Sequence, residues 1–138
     1  MIDEIDLPDV VAEVTAQSDR YEHALATNDV STLDVLFWDS PCTRRFGATE
    51  NLYGHAAIAA FRAARPADGL ARACLRRSIT TYGRDAATVD IEFRRAGAAR
   101  IGRQTQTWMR LPEGWRVVAV HVSFMEDGRP ERSDPRRP

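Results

Sequence analysis

Lysine is absent from this 138-residue chain: all 19 basic residues are arginine. A GC-rich coding sequence is the simplest origin of that bias, yet it has a chemical consequence. There is no lysine amine for a Schiff base, and every fixed cation is a planar fork suited to carboxylates. Cysteine is also scarce. Cys42 and Cys74 lie far apart with no CxxC or Cys/His spacing, and their apolar surroundings predict buried free thiols rather than a disulfide or a metal site. No His/Asp/Glu cluster has metal-ligand spacing, and no metal or other cofactor is expected. A Gly-rich phosphate loop, a serine elbow and a dinucleotide fingerprint are all missing. The formal net charge of −1 provides no global field for nucleic acid or an anionic membrane. No apolar run approaches the roughly 18 residues of a membrane span. The acidic start "MIDEIDLPDVV" lacks the basic-then-apolar order of a signal peptide, so the chain reads as cytoplasmic.

What is present suits one domain over residues 1–127, with a polar, proline-rich tail at 128–138 expected to be disordered. In "DLPDVVAEVTAQSDRYEHALATND", Val11, Val14, Ser18, Tyr21 and Leu25 recur at three- and four-residue steps and make one helix face. "STLDVLFW" predicts a short helix from Ser31, with a Ser-x-x-Asp cap. Short strands follow near Cys42–Phe46 and Leu52–Tyr53, then an alanine-rich helix, "GHAAIAAFRAAR", stopped by Pro66. Four strand-like stretches close the domain: "LRRSITTYG", "AATVDIEFRR", "ARIGRQTQTWMRL" and "GWRVVAVHVSFME". This order predicts an α+β fold, a curved antiparallel sheet packed on helices around a pocket.

Strand registers assign faces. A turn near Ala96–Ala99 pairs Phe93 with Gly102, Ile91 with Gln104 and Val89 with Gln106. A turn at Glu113-Gly114 pairs Trp108 with Ala119, Gln106 with His121 and Gln104 with Ser123. One face then carries apolar walls with Gln104, Gln106, His121 and Ser123 as directed polar groups, which is the character of a small-ligand site. The other carries Thr105, Thr107, Val118, Val120 and Val122, an uncharged surface that predicts a homodimer through it.

Arg44 and Arg45 are adjacent on a strand, so one of them faces inward. Arg45 is either a structural arginine, at the surface of a strand end or paired with Glu50 across the turn, or an inward guanidinium whose charge is matched by a carboxylate on a small anionic substrate. Tyr21, on the apolar helix face, is either a core residue or a phenol able to donate a proton to developing negative charge. Trp38, Phe46 and Tyr53 flank Arg45 in sequence and suit either the core or the walls of the same pocket. His121 is either a satisfied core histidine or a substrate-orienting group.

The runs "TRRFGATENLYGHAAIAAFRAARP", "ITTYGRDAATVDIEFRR", "IGRQTQTW" and "GWRVVAVHVSFM" resemble the AtzH-like family, which includes oxalurate-catabolism proteins of the HpxZ type. The resemblance implies a cone of the nuclear-transport-factor-like (SnoaL-like) superfamily, usually dimeric across its outer sheet face. It also implies a setting beside an amidase-signature hydrolase in the catabolism of nitrogen compounds. A tyrosine of the first helix and an arginine of the first strand are implicated in that family's activity, and here they match Tyr21 and Arg45. The implied reaction is cofactor-free hydrolysis or decarboxylation of a doubly carboxylated urea to allophanate. A non-catalytic accessory role beside the amidase is the alternative. Isomerase chemistry would ask for a carboxylate base in the pocket, and the register places Asp90 and Glu92 outside it.

Overall fold

The structure, a computed structural model, describes residues 1–126; the expected tail at 128–138 lies outside the described residues. Helix α1 (Pro8–Ala26) begins with proline in its first turn, where a missing N–H costs nothing. It buries Val10, Val14, Ser18, Tyr21 and Ala24, the face anticipated from its periodicity but rotated slightly. Asn28 ends it in the left-handed region, φ 51°. Helix α2 (Val30–Leu36) starts earlier than expected because Asp29, not Ser31, is its cap. The Asp29 carboxylate accepts from the Thr32 amide and from both the Ser31 and Thr32 hydroxyls, which no neutral cap could match.

Strands β1 (Arg44–Phe46) and β2 (Asn51–Tyr53) form a short hairpin, followed by helix α3 (His55–Ala64). Arg65 leaves that helix in an extended conformation, as the residue before Pro66 must. The long strands are β3 (Arg72–Tyr82), β4 (Ala86–Arg95), β5 (Gly102–Leu111) and β6 (Gly114–Phe124). All six form one sheet in the order β2-β1-β6-β5-β4-β3. The sheet is mixed rather than wholly antiparallel, because β1 runs parallel to β6.

The β4–β5 register is the one anticipated, with Phe93 opposite Gly102 and Ile91 opposite Gln104. The β5–β6 register is not. The turn closes on Leu111 and Gly114, with Pro112-Glu113 at its tip, one residue earlier than expected. Proline is pre-set for that corner, and Gly114 supplies φ 119° immediately after it. Val118 is then the extra residue of a bulge: Trp108 faces Val117, but Thr107 faces Ala119. The net one-residue slip exchanges the faces of β6. Val120 and Val122 point into the core, while His121 and Ser123 point to the outer side. The outer surface is therefore more polar than the valine-rich patch from which a dimer was expected. The two cysteines also differ from expectation: both are free but exposed.

The core lies between α1, α2 and the inner sheet face, around Trp108, Phe37, Phe93, Leu33 and Leu36. Gly102 is required there because a Cβ would fall 2.3–2.7 Å from the Phe93 ring. Gly102→Ala is expected to cost about 1–3 kcal/mol by overpacking, read as a lower urea midpoint; an unchanged midpoint would show that the ring has room to move.

Candidate functional site

Arginines converge at one end of the inner sheet face. Arg45, Arg62, Arg65, Arg72 and Arg95 line a cavity of about 30 Å³ together with Tyr21, Gln104 and aliphatic side chains, and among the described residues no acidic one lines it. Arg45, Arg65, Leu70, Arg95 and Val122 also line an outer recess of about 460 Å³ and thus stand between the two spaces.

Each element delivers its cation for a local reason. Arg45 is inward because Arg44 and Phe46 alternate to the outer side, opposite Ala119 and His121. Its Nη1 donates to Glu50 Oε1 at 2.7 Å. Arg45 thus satisfies both readings of the sequence: it faces the cavity and it pairs across the turn. Gly47 makes the pair possible, since a Cβ there would overlap the Glu50 carboxylate at 1.8 Å. Arg62, one turn after Ile58 on α3, is buried against the Phe37 ring at 4.6 Å and pairs with Asp34. Arg72 lies 4.5 Å above the Phe93 ring and donates twice to Glu22, at 3.0 and 2.7 Å.

A hydrogen-bond chain gives Tyr21 its polarity. Trp108 Nε1 can only donate, and it donates to Gln106 Oε1 at 2.9 Å. Gln106 therefore presents its Nε2, which donates to Gln104 Oε1 at 3.1 Å. Arg72, also donor-only, reaches the same oxygen at 2.7 Å. Both constraints turn Gln104 Nε2 toward Tyr21, to whose hydroxyl oxygen it donates at 3.3 Å. With that acceptor lone pair engaged, the phenolic proton is left for a partner in the cavity.

Of the residues singled out from sequence, Tyr21, Arg45 and Gln104 meet at the cavity, and Gln106 stands behind Gln104. Trp38, Phe46, Tyr53, His121 and Ser123 do not line it. Phe37 bridges to Val117 and takes the inward direction, so alternation sends Trp38 to a separate recess beside Asp39 and His55. Phe46, Tyr53 and His121 stack edge-on on the outer sheet face, with centroids 5.7–5.8 Å apart. Ser123 follows His121 through the β6 slip. Sequence reasoning missed Arg62, Arg65, Arg72 and Arg95. Their one signal was arginine set beside alanine or aromatic residues at the ends of elements. Asp90 lies outside as expected, accepting from Thr105 at 2.8 Å.

Burial alone would raise the Glu50 carboxyl, but hydrogen bonds from Thr49 and Arg45 outweigh it and hold the group below its ordinary 4.5. A depressed carboxyl contributes stability at neutral pH that is lost as pH falls through its folded-state value. Glu50→Gln is therefore expected to flatten the acid limb of stability between about pH 5 and pH 3, followed by urea denaturation across that range. An acid limb identical to wild type would show that the pair carries no such linkage.

The sequence model of the AtzH-like family matches residues 3–128. A protein of unknown function from the DUF3225 family of Pectobacterium atrosepticum is 56% identical, with a TM-score of 0.88 over 90% of this chain and 97% of that one. A cystatin-like fold protein from Burkholderia xenovorans is 42% identical, with a TM-score of 0.86 over 91% and 98%. A nuclear transport factor 2-like protein from Salmonella enterica, 24% identical with a TM-score of 0.68 over 94% and 97%, shares the fold. No curated protein matches the chain. With the family model spanning nearly all of its length, the chain belongs to the AtzH-like family and has the nuclear transport factor 2-like, cystatin-like fold.

Proposed function

We propose that this protein is a small amidohydrolase of carboxylated ureas, acting on 1,3-dicarboxyurea or a similar ureido acid of the oxalurate type. The observation that carries this reading is a phenol that lines a cavity walled by arginines and, among the described residues, free of carboxylates, its oxygen accepting from the Gln104 amide so that its O–H remains able to donate. Such walls favour an anion, and the donor needs a group that gains charge as a bond breaks.

Arg45 anchors one carboxylate of the substrate. Its Nη1 is engaged by Glu50, and the guanidinium retains further N–H donors for a two-pronged contact. The C–N bond between the terminal carboxyl carbon and the urea nitrogen breaks, with the electron pair staying on nitrogen. Tyr21 transfers its proton to that nitrogen, and the carboxyl carbon leaves as carbon dioxide, or as bicarbonate where water adds. The products are then allophanate and the one-carbon fragment, and the decarboxylating route consumes one proton overall. The phenolate that remains is held by the Gln104 amide and the surrounding guanidinium groups until water reprotonates it. Among the described residues the cavity lining offers no serine, cysteine or carboxylate to form a covalent intermediate. An acting carboxylate base, as ring isomerisation would ask for, is likewise missing from that lining.

A homodimer across the outer sheet face and association with an amidase belong to the same proposal as its assembly and setting. The test is turnover of 1,3-dicarboxyurea by the purified protein, followed by nuclear magnetic resonance of substrate and allophanate. Tyr21→Phe and Arg45→Ala are each expected to lower the rate at least about 100-fold, with circular dichroism unchanged. Near-wild-type turnover by either variant would overturn the assignment. An inactive wild-type protein that co-purifies with the amidase would favour the accessory role instead.

A further inference from the structure

Three of the five cavity arginines have a carboxylate of their own: Arg45 has Glu50, Arg62 has Asp34 and Arg72 has Glu22. Arg65 and Arg95 have none among the described residues. Glu50 and Asp68 line the outer recess beside them but form no ion pair with either. Arg65 is the less satisfied of the two, since its Nε is buried with no hydrogen-bond partner. Unmatched donors of this kind are costly where water is excluded. Arg95 is more open and rests 5.8 and 5.3 Å from the Phe93 and Phe124 rings, contacts that leave its N–H groups unclaimed. Neither position is accidental in the backbone. Pro66 holds Arg65 extended at the end of α3, and the β3–β4 register sets Arg95 opposite Arg72.

Both guanidinium groups are also pushed below their ordinary range. Burial is the main cause at each, with Arg62 and Arg45 adding to it at Arg65, and Arg72 and Arg45 adding to it at Arg95 against a smaller opposing pull from Glu50. A bound anion would relieve the burial cost and the like-charge repulsion together.

We propose that Arg65 and Arg95 form a carboxylate subsite between the inner cavity and the outer recess, beside the Arg45 anchor, which selects small dianions carrying two carboxylates. This deepens the amidohydrolase reading by assigning the second carboxylate of its substrate a place. The subsite itself stands on the charge count alone. Planar forks match the two oxygens of a carboxylate, so tetrahedral phosphate is the poorer fit.

Calorimetric titration with malonate, acetate and inorganic phosphate tests the subsite without any chemistry. Wild type is expected to bind malonate at least about ten-fold more tightly than acetate or phosphate. Arg65→Gln and Arg95→Gln should each erase that preference while leaving acetate affinity unchanged. Tyr21→Phe should keep the preference. Because removing an unmatched cation relieves repulsion, neither arginine variant should lower the melting temperature. Equal affinity for malonate and acetate in wild type, phosphate binding as tight as malonate, or an undiminished preference in both variants would overturn the subsite. A wild-type protein that keeps the malonate preference but turns over no dicarboxyurea would sink the hydrolase reading and leave the subsite standing.

Discussion

Arg72 is the interaction on which the site depends. Its guanidinium is forked onto Glu22 of α1, donates to Gln104 of β5 and lies over the Phe93 ring of β4. One side chain thus ties the long helix to three strands and decides which way the Gln104 amide faces. At 6% side-chain exposure it is a buried charge, and stranding such a charge costs about 3–5 kcal/mol. Glu22 is therefore consumed by structure and is not a spare base. The same side chain fixes the direction of the hydrogen-bond chain at Gln104, so the donor character of Tyr21 follows from a structural ion pair.

The cavity concentrates positive charge in a chain whose formal net charge is −1. Two devices make that tolerable. Acidic partners stand behind the arginines, not inside the cavity, so charge is offset without filling the space. Aromatic faces also stand near Arg45, Arg62, Arg72 and Arg95, at 5.5, 4.6, 4.5 and 5.3 Å for the nearer ring of each. Each such contact replaces part of the lost hydration by attraction to the ring quadrupole, about 0.5–2 kcal/mol apiece. Arg65 has neither device and is the one whose Nε is left without a partner. The unmatched positive charge is thus local to one end of the site.

Much of the fold was legible because it rests on periodicity. The α1 face, the β4–β5 pairing and the inward Gln104 and Gln106 all follow from alternation and turn position. The β5–β6 pairing was not legible. A bulge at Val118 leaves no local mark in a run of valine and alanine, and one residue of slip moved His121 and Ser123 outside. Trp38, Phe46 and Tyr53 were placed near Arg45 by sequence proximity, whereas alternation along an extended chain separates neighbours onto opposite sides. The cavity arginines were hidden by composition. Where every cation is arginine, a pocket-facing one resembles a solvated one until helix ends and strand registers bring Arg62, Arg65, Arg72 and Arg95 together. The Arg45–Glu50 pair shows a further limit: a salt bridge and a ligand-facing guanidinium are compatible roles for one side chain.

The absence of lysine, whatever its origin in codon usage, suits this arrangement. An ammonium beside several cations and out of water drifts toward neutrality, because burial and like charge both favour the loss of its proton. Lysine starts from about 10.4, close enough for such shifts to matter, whereas arginine starts well above lysine. The same forces act on Arg65 and Arg95, and both are pushed down, yet a guanidinium keeps its proton through a shift that would discharge an amine. Cations this close together keep their charge when they are arginine and would lose part of it when they are lysine. Among the described residues no carboxylate lines the cavity. The fold instead sets its acids behind the arginines, as partners of Arg45, Arg62 and Arg72.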